Sequence, residues 1–149
     1  KLWPVNNFNK IIKIIIKKYI NVKFIIVGSL NEKKLYYEDV TKNISKNNII
    51  DLMGKSLTLT SAYMKKSDLF LGNDSGLMHL SVASNLKTIG LFGPTSDKIY
   101  APKGKNCFVI RTKESFDFFQ NNIEDLKKSY MESIEVEEVI NLIKINKLL

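Results

Sequence analysis

A short apolar run that ends in small polar residues and passes straight into a helix-forming segment constrains this chain most. Leu69-Phe70-Leu71-Gly72-Asn73 is such a run, and Asp74-Ser75-Gly76 follows it. The arrangement repeats. Residues 22–27 form a continuous β-branched and aromatic run ending at Gly28, and read as a buried parallel strand. Residues 49–52 form a shorter run closed by Gly54. Residues 88–92 and 107–111 supply two more. Between them lie stretches with helical spacing or composition: 32–46, 57–66 and 76–85. Strands alternating with helices at short intervals predict βα units. The expected fold is α/β, a Rossmann-like parallel sheet with helices on both faces.

The ends of the chain are helical by the same reasoning. Phe8, Ile11, Ile12, Ile15 and Ile16 recur at helical spacing with lysines between them, so a helix opens near Asn6 or Asn7. A helix running from Glu135 to Lys147 places Val136, Val139, Ile140, Ile143 and Leu148 on one side. Residues 93–105, with Gly93, Pro94, Pro102 and Gly104, read as a loop. The stretch 112–133 carries no clear pattern beyond a helix around 123–128.

Composition narrows the function classes. The chain has 149 residues, which suits one domain, and a net charge of +8. The excess favours anionic partners, but the lysines are dispersed, without basic segments interleaved with aromatics, so nucleic acid is not expected. A single cysteine, Cys107, rules out an internal disulfide and a multi-cysteine zinc site. Its apolar neighbours predict a buried strand thiol, and a reducing cytoplasm fits. The apolar stretch 11–16 is too short to span a bilayer. The sequence opens on Lys1 rather than Met and reads as part of a longer protein.

In parallel α/β sheets, ligands bind beyond the carboxyl ends of strands, so chemistry belongs in the loops after Val27, Leu52, Asn73 and Phe92. The loop after Asn73 has the richest chemistry. A helix mouth offers free N–H groups and partial positive charge, suited to a pyrophosphate. Gly76 lets a ligand approach the backbone and Ser75 adds a hydroxyl. Asp74 would cap the helix or accept hydrogen bonds from sugar hydroxyls. His79, the only histidine, either joins this site or fills a polar niche. The turn Gly93-Pro94-Thr95-Ser96 presents two hydroxyls on the same edge, or is only a β-turn.

Asp74, Ser75, Gly76, His79, Leu80 and Ala83, followed by Gly90-Leu91-Phe92-Gly93-Pro94-Thr95 and Pro102, resemble the C-terminal signature of glycosyltransferase family 9, the bacterial heptosyltransferases. Lys1-Leu2-Trp3-Pro4, Val27-Gly28 with Glu32, Gly54-Lys55-Ser56-Leu57 and Ile134-Glu135-Val136-Glu137-Glu138-Val139 extend the likeness in order along the chain.

The resemblance implies that residues 1–149 are the donor-binding, C-terminal half of a two-domain GT-B enzyme, with the helix at 135–147 closing it. The N-terminal acceptor domain would be absent. The donor would be a nucleotide-diphospho-sugar such as ADP-heptose, transferred with inversion to a lipopolysaccharide core acceptor without metal or cofactor. Lys1 would contact the donor phosphate, and Glu32 the ribose hydroxyls. Lys55 and Ser56 would line the base mainly through backbone groups. Asp74, Ser75, Gly76 and His79 would form the phosphate and sugar end. No catalytic base is expected here, since the family places it in the N-terminal domain, so the fragment alone is expected to be inactive. Partners would be the sugar nucleotide and, through the other domain, a lipid-linked saccharide. Peripheral membrane contact stays open, in the cytoplasm or at the inner face of the inner membrane. Three alternatives stand beside this reading. They are a GT-B enzyme with another sugar nucleotide, a non-catalytic α/β nucleotide-binding module of flavodoxin-like type, and a nucleic-acid module.

Overall fold

The computed structural model describes residues 2–122 and 130–149. The chain is α/β with parallel strand pairing throughout, and it divides into two compact units. One is Val5–Thr60; the other joins Lys1–Pro4 to Ser61–Leu149.

The Val5–Thr60 unit opens with α1 (Val5–Lys18). Its isoleucine spacing buries Ile11, Ile12 and Ile15, as the sequence predicts. Asn9 is buried with them, and its amide donates to Val40 O (2.8 Å) and Lys42 O (3.0 Å). Those carbonyls end α2 (Leu30–Thr41), so a buried polar group satisfies helix-end acceptors. The helix expected at 32–46 therefore starts and stops earlier. Ser29 starts it, through a reciprocal capping box with Glu32. Asn43, in the left-handed region at φ 59°, ends its path.

β1 (Phe24–Ile26) pairs in parallel with β2 (Ile49–Asp51), Phe24 opposite Ile49. β1 is shorter than the expected 22–27 and half-buried rather than buried. In this two-stranded ladder each strand has a partner on one side only. α3 (Leu57–Met64) follows.

In the other unit β3 (Leu69–Asn73), β4 (Lys87–Phe92) and β5 (Cys107–Arg111) lie in that order. β4 is central and buried from Thr88 to Phe92. α4 (Gly76–Ala83) links β3 to β4 and packs on both. A side chain at Gly90 would strike Met78 Sδ at 2.6 Å, so glycine here lets α4 lie close to β4. The hydroxyls of Ser81 and Thr88, both fully buried, bond each other at 2.8 Å. Each hydroxyl also lies within hydrogen-bond distance of a backbone carbonyl, Met78 O for Ser81 and Leu86 O for Thr88, so the two O–H protons satisfy the cluster between them.

Two helices escape the sequence reading. α5 (Asp97–Tyr100) is a single turn inside the expected loop. α6 (Phe116–Asn122) lies in the stretch without pattern, where Phe119 is buried edge-to-face on Tyr130. The helix expected at 123–128 lies outside the described residues. α7 (Val136–Ile145) buries Val136, Val139, Ile140 and Ile143 as predicted, and Leu148 is buried beyond it. It stops two residues before Lys147, which adopts a left-handed φ of 49°. Cys107 is half-buried rather than buried, and that partial burial pushes its thiol pKa up. Among the described residues, no helix is long and apolar enough to cross a membrane.

Candidate functional site

The strand ends of the β3–β4–β5 ladder carry the residues around Asp74. Asn73 is opposite Leu91 in register, and the next amide, Asp74 N–H, donates to Leu91 O at 3.1 Å. The chain turns there into α4. The N-cap position falls on Ser75, not Asp74, which corrects the capping role expected for Asp74. Ser75 is extended (φ −161°, ψ 168°), and its side chain makes no cap bond. Its carbonyl accepts from Met78 and His79, so the Gly76 and Leu77 amides at the helix mouth precede the first acceptor of the helix. Ser75, Gly76 and His79 are exposed, and Asp74 is half-buried. His79 thus fills no buried niche.

Gly76 is the informative residue. Its φ lies outside the left-handed region, so the backbone does not require glycine. A Cβ built on it meets nothing within 4 Å among the described residues, whereas at each of the other six glycines it meets a neighbour. Neither conformation nor internal packing accounts for this glycine.

The turn after β4 departs from expectation. Among the described residues Thr95 Oγ1 is buried without a hydrogen-bond partner, and Ser96 is only 6% exposed, so neither hydroxyl is offered to solvent. The turn is held from behind. A Cβ at Gly93 would meet Met131 Cγ at 2.7 Å. The Arg111 guanidinium donates from Nη2 to Gly93 O (2.7 Å) and from Nη1 to Thr95 O and Asp97 Oδ1 (2.8 Å each). Sequence reasoning missed Arg111. The available signal was that it is the only arginine among 23 lysines and arginines.

The N-terminal motif meets this edge through Trp3. Trp3 is fully buried, its backbone N–H donates to Asn73 Oδ1 (2.9 Å), and its ring N–H donates to Ile134 O (3.0 Å). Lys1 lies outside the described residues.

The strand ends of β1 and β2 carry the second set. Gly54 N–H donates to Gly28 O at 2.8 Å, tying the two loops together. Gly54 has φ 75°, a conformation glycine adopts freely. Glu32 is exposed, and its Oε2 accepts the Ser29 N–H at 2.7 Å in the capping box. The structural role of a first-turn acid is therefore realised, and Oε1 retains its acceptor capacity. Lys55 and Ser56 are both exposed, and the Ser56 hydroxyl accepts Leu59 N–H at 3.3 Å at the start of α3. Among the described residues, no group of three or more His, Cys, Asp or Glu could hold a metal ion.

The profile of glycosyltransferase family 9 (heptosyltransferase) matches residues 1–128. A lipopolysaccharide heptosyltransferase 1 from Campylobacter coli is 31% identical over 150 residues, spanning 97% of this chain and 42% of that protein. The chain thus covers well under half the length of that relative. A family 9 glycosyltransferase from Veillonella parvula superposes with a TM-score of 0.80 at 22% identity, over 96% of this chain and 41% of that one. E. coli heptosyltransferase WaaC with ADP superposes with a TM-score of 0.77 at 17% identity, over 97% and 39%. At these identities the structural likenesses establish the fold.

Proposed function

Because the chain belongs to glycosyltransferase family 9, we propose that it holds the sugar-nucleotide donor for an inverting transfer in lipopolysaccharide biosynthesis. The observation that carries this is the open mouth of α4. An uncapped Ser75 hydroxyl and the Gly76 amide stand exposed where no packing explains the glycine. A helix mouth of this kind suits a diphosphate, through free N–H groups and the helix dipole. Asp74 and His79 take the sugar end. Glu32 receives the ribose hydroxyls on its free oxygen, and Lys55 and Ser56 border the nucleobase.

Transfer then proceeds by in-line attack of an acceptor hydroxyl on the anomeric carbon, with a nucleoside diphosphate leaving. Charge growing on the leaving group is stabilised by the α4 mouth and by Lys1. No residue of this chain is assigned as the general base. ADP-heptose is the proposed donor and a lipid-linked saccharide the acceptor. A named relative is a lipopolysaccharide heptosyltransferase, and a structural neighbour carries ADP.

Titration calorimetry with ADP, GDP and UDP tests the reading. Binding of ADP that is weakened at least tenfold by Gly76→Val supports it. Preference for GDP or UDP redirects the donor assignment. A folded protein that binds none of the three is not a donor domain.

A further inference from the structure

The unused chemistry in this molecule centres on Arg111. The chain otherwise uses lysine for its basic residues, and its one arginine stands at the carboxyl end of β5, beside Phe92 in register. Its side chain is only 19% exposed and makes no contact with solvent-facing anions from elsewhere among the described residues. Among the described residues, all three side-chain hydrogen bonds of Arg111 go to one turn: Gly93 O, Thr95 O and Asp97 Oδ1. Those acceptors lie on separate residues and require donors on two nitrogens. A guanidinium fork reaches them together, and a single ammonium does not.

The clamped turn is the direct continuation of β4. Leu91, just before it, accepts the Asp74 amide, the last bond before α4 opens. Gly90, one residue earlier, faces Met78 of α4 on one side and Pro102 beyond the turn on another, at 2.6 and 3.3 Å from an added Cβ. The turn and the helix mouth are thus coupled through Leu91 and Gly90, both in the buried central strand. The unpartnered, buried Thr95 hydroxyl adds to the case. Leaving that hydroxyl unsatisfied costs free energy, which the Arg111 bonds to Gly93 O, Thr95 O and Asp97 Oδ1 help to offset.

We infer that Arg111 is a positioning residue for the diphosphate end of the donor site, holding the Gly93–Asp97 turn so that β4 fixes the mouth of α4. The inference rests on the donor reading above for its ligand, but its geometric core does not. A lysine at 111 keeps the charge and loses the fork, so it separates the two.

Two measurements on the 149-residue chain test it. In the ligand-free protein, Arg111→Lys is expected to shift the backbone amide resonances of Asp74, Ser75 and Gly76. Those of Leu69 and Lys87, at the opposite end of the ladder, stay in place. In titrations, Arg111→Lys is expected to lose at least tenfold in ADP affinity while adenosine affinity changes less than twofold. A merely structural role would lower both alike. Asp97→Asn, which leaves both carbonyl bonds, should show the same pattern at smaller size, and it decides the matter if Arg111→Lys does not fold. Unmoved amides at Asp74–Gly76 in a folded variant overturn the inference, as does equal loss of ADP and adenosine. If the wild-type chain binds no nucleotide, the donor reading fails, and the amide shifts alone decide whether Arg111 positions the helix mouth.

Discussion

The backbone N–H of Trp3 donates to the side-chain oxygen of Asn73 at 2.9 Å, joining residues 70 apart in sequence. Asn73 ends β3 and immediately precedes Asp74. Trp3, fully buried and hydrogen-bonded again through its ring to Ile134 O, therefore ties the start of the described chain to the strand end that opens the candidate site. Replacing Asn73 by Ala leaves a part-buried N–H without its acceptor and should cost about 1–3 kcal/mol. Urea denaturation measures this, and a midpoint equal to wild type would show that the bond contributes nothing to the fold.

Gly76 and Gly90 predict opposite outcomes for the same substitution. Gly76→Ala enters open space in a helix, so stability should stay level or rise by up to about 1 kcal/mol. Its ADP affinity should nevertheless fall. Gly90→Ala drives a methyl into Met78 and Phe92, at 2.6 and 2.9 Å, and should cost about 1–3 kcal/mol. Thermal melts of the pair, with a nucleotide titration of the first, check both. Unchanged ADP binding by Gly76→Ala would remove the main support for a ligand at the α4 mouth.

Glu32 serves its helix, and its ligand role is separable from that service. Glutamine at the third helical position keeps the capping box, so Glu32→Gln should remain within about 0.5 kcal/mol of wild type. Glu32→Ala should lose about 0.3–1.5 kcal/mol. If the ribose is held here, both variants should weaken ADP at least fivefold. Full ADP affinity in Glu32→Gln would leave Glu32 a capping residue only.

Burial raises the Cys107 thiol pKa, so less thiolate is present at neutral pH than in a free cysteine. Alkylation by iodoacetamide should be slow at pH 7.5, and its rate should keep climbing beyond the ordinary thiol range near about 8.5. A rate profile that levels at or below that range would contradict the assignment.

Much of the fold was legible because its signals are local. Strand β3 and strand β5 coincide with their apolar runs, and the isoleucine and valine spacings of α1 and α7 name most of the residues that are buried, though Phe8 and Ile16 are half-buried and Asn9 is buried instead. A side chain's period along a helix or strand depends only on its near neighbours in sequence. The site was legible to a similar depth. Asp74, Ser75 and Gly76 do stand at a strand-to-helix turn, because small polar residues after an apolar run favour turns and helix starts over continuing the strand.

Tertiary structure decided the rest, because it depends on which groups meet across long separations. The cap moved from Asp74 to Ser75 once Asp74 N–H found Leu91 O. The hydroxyls of Thr95 and Ser96 turned inward, because Arg111, distant in sequence, holds their turn from behind. α6 lies in a stretch without periodicity, where Phe119 packs edge-to-face on Tyr130. The sequence by itself determined where the chain could bend, which faces were apolar and which loops were chemically equipped. Only the folded chain determined which glycines are filled by neighbours and which, at Gly76, is left open. That distinction depends on atoms brought close in space, and local sequence pattern carries no record of them.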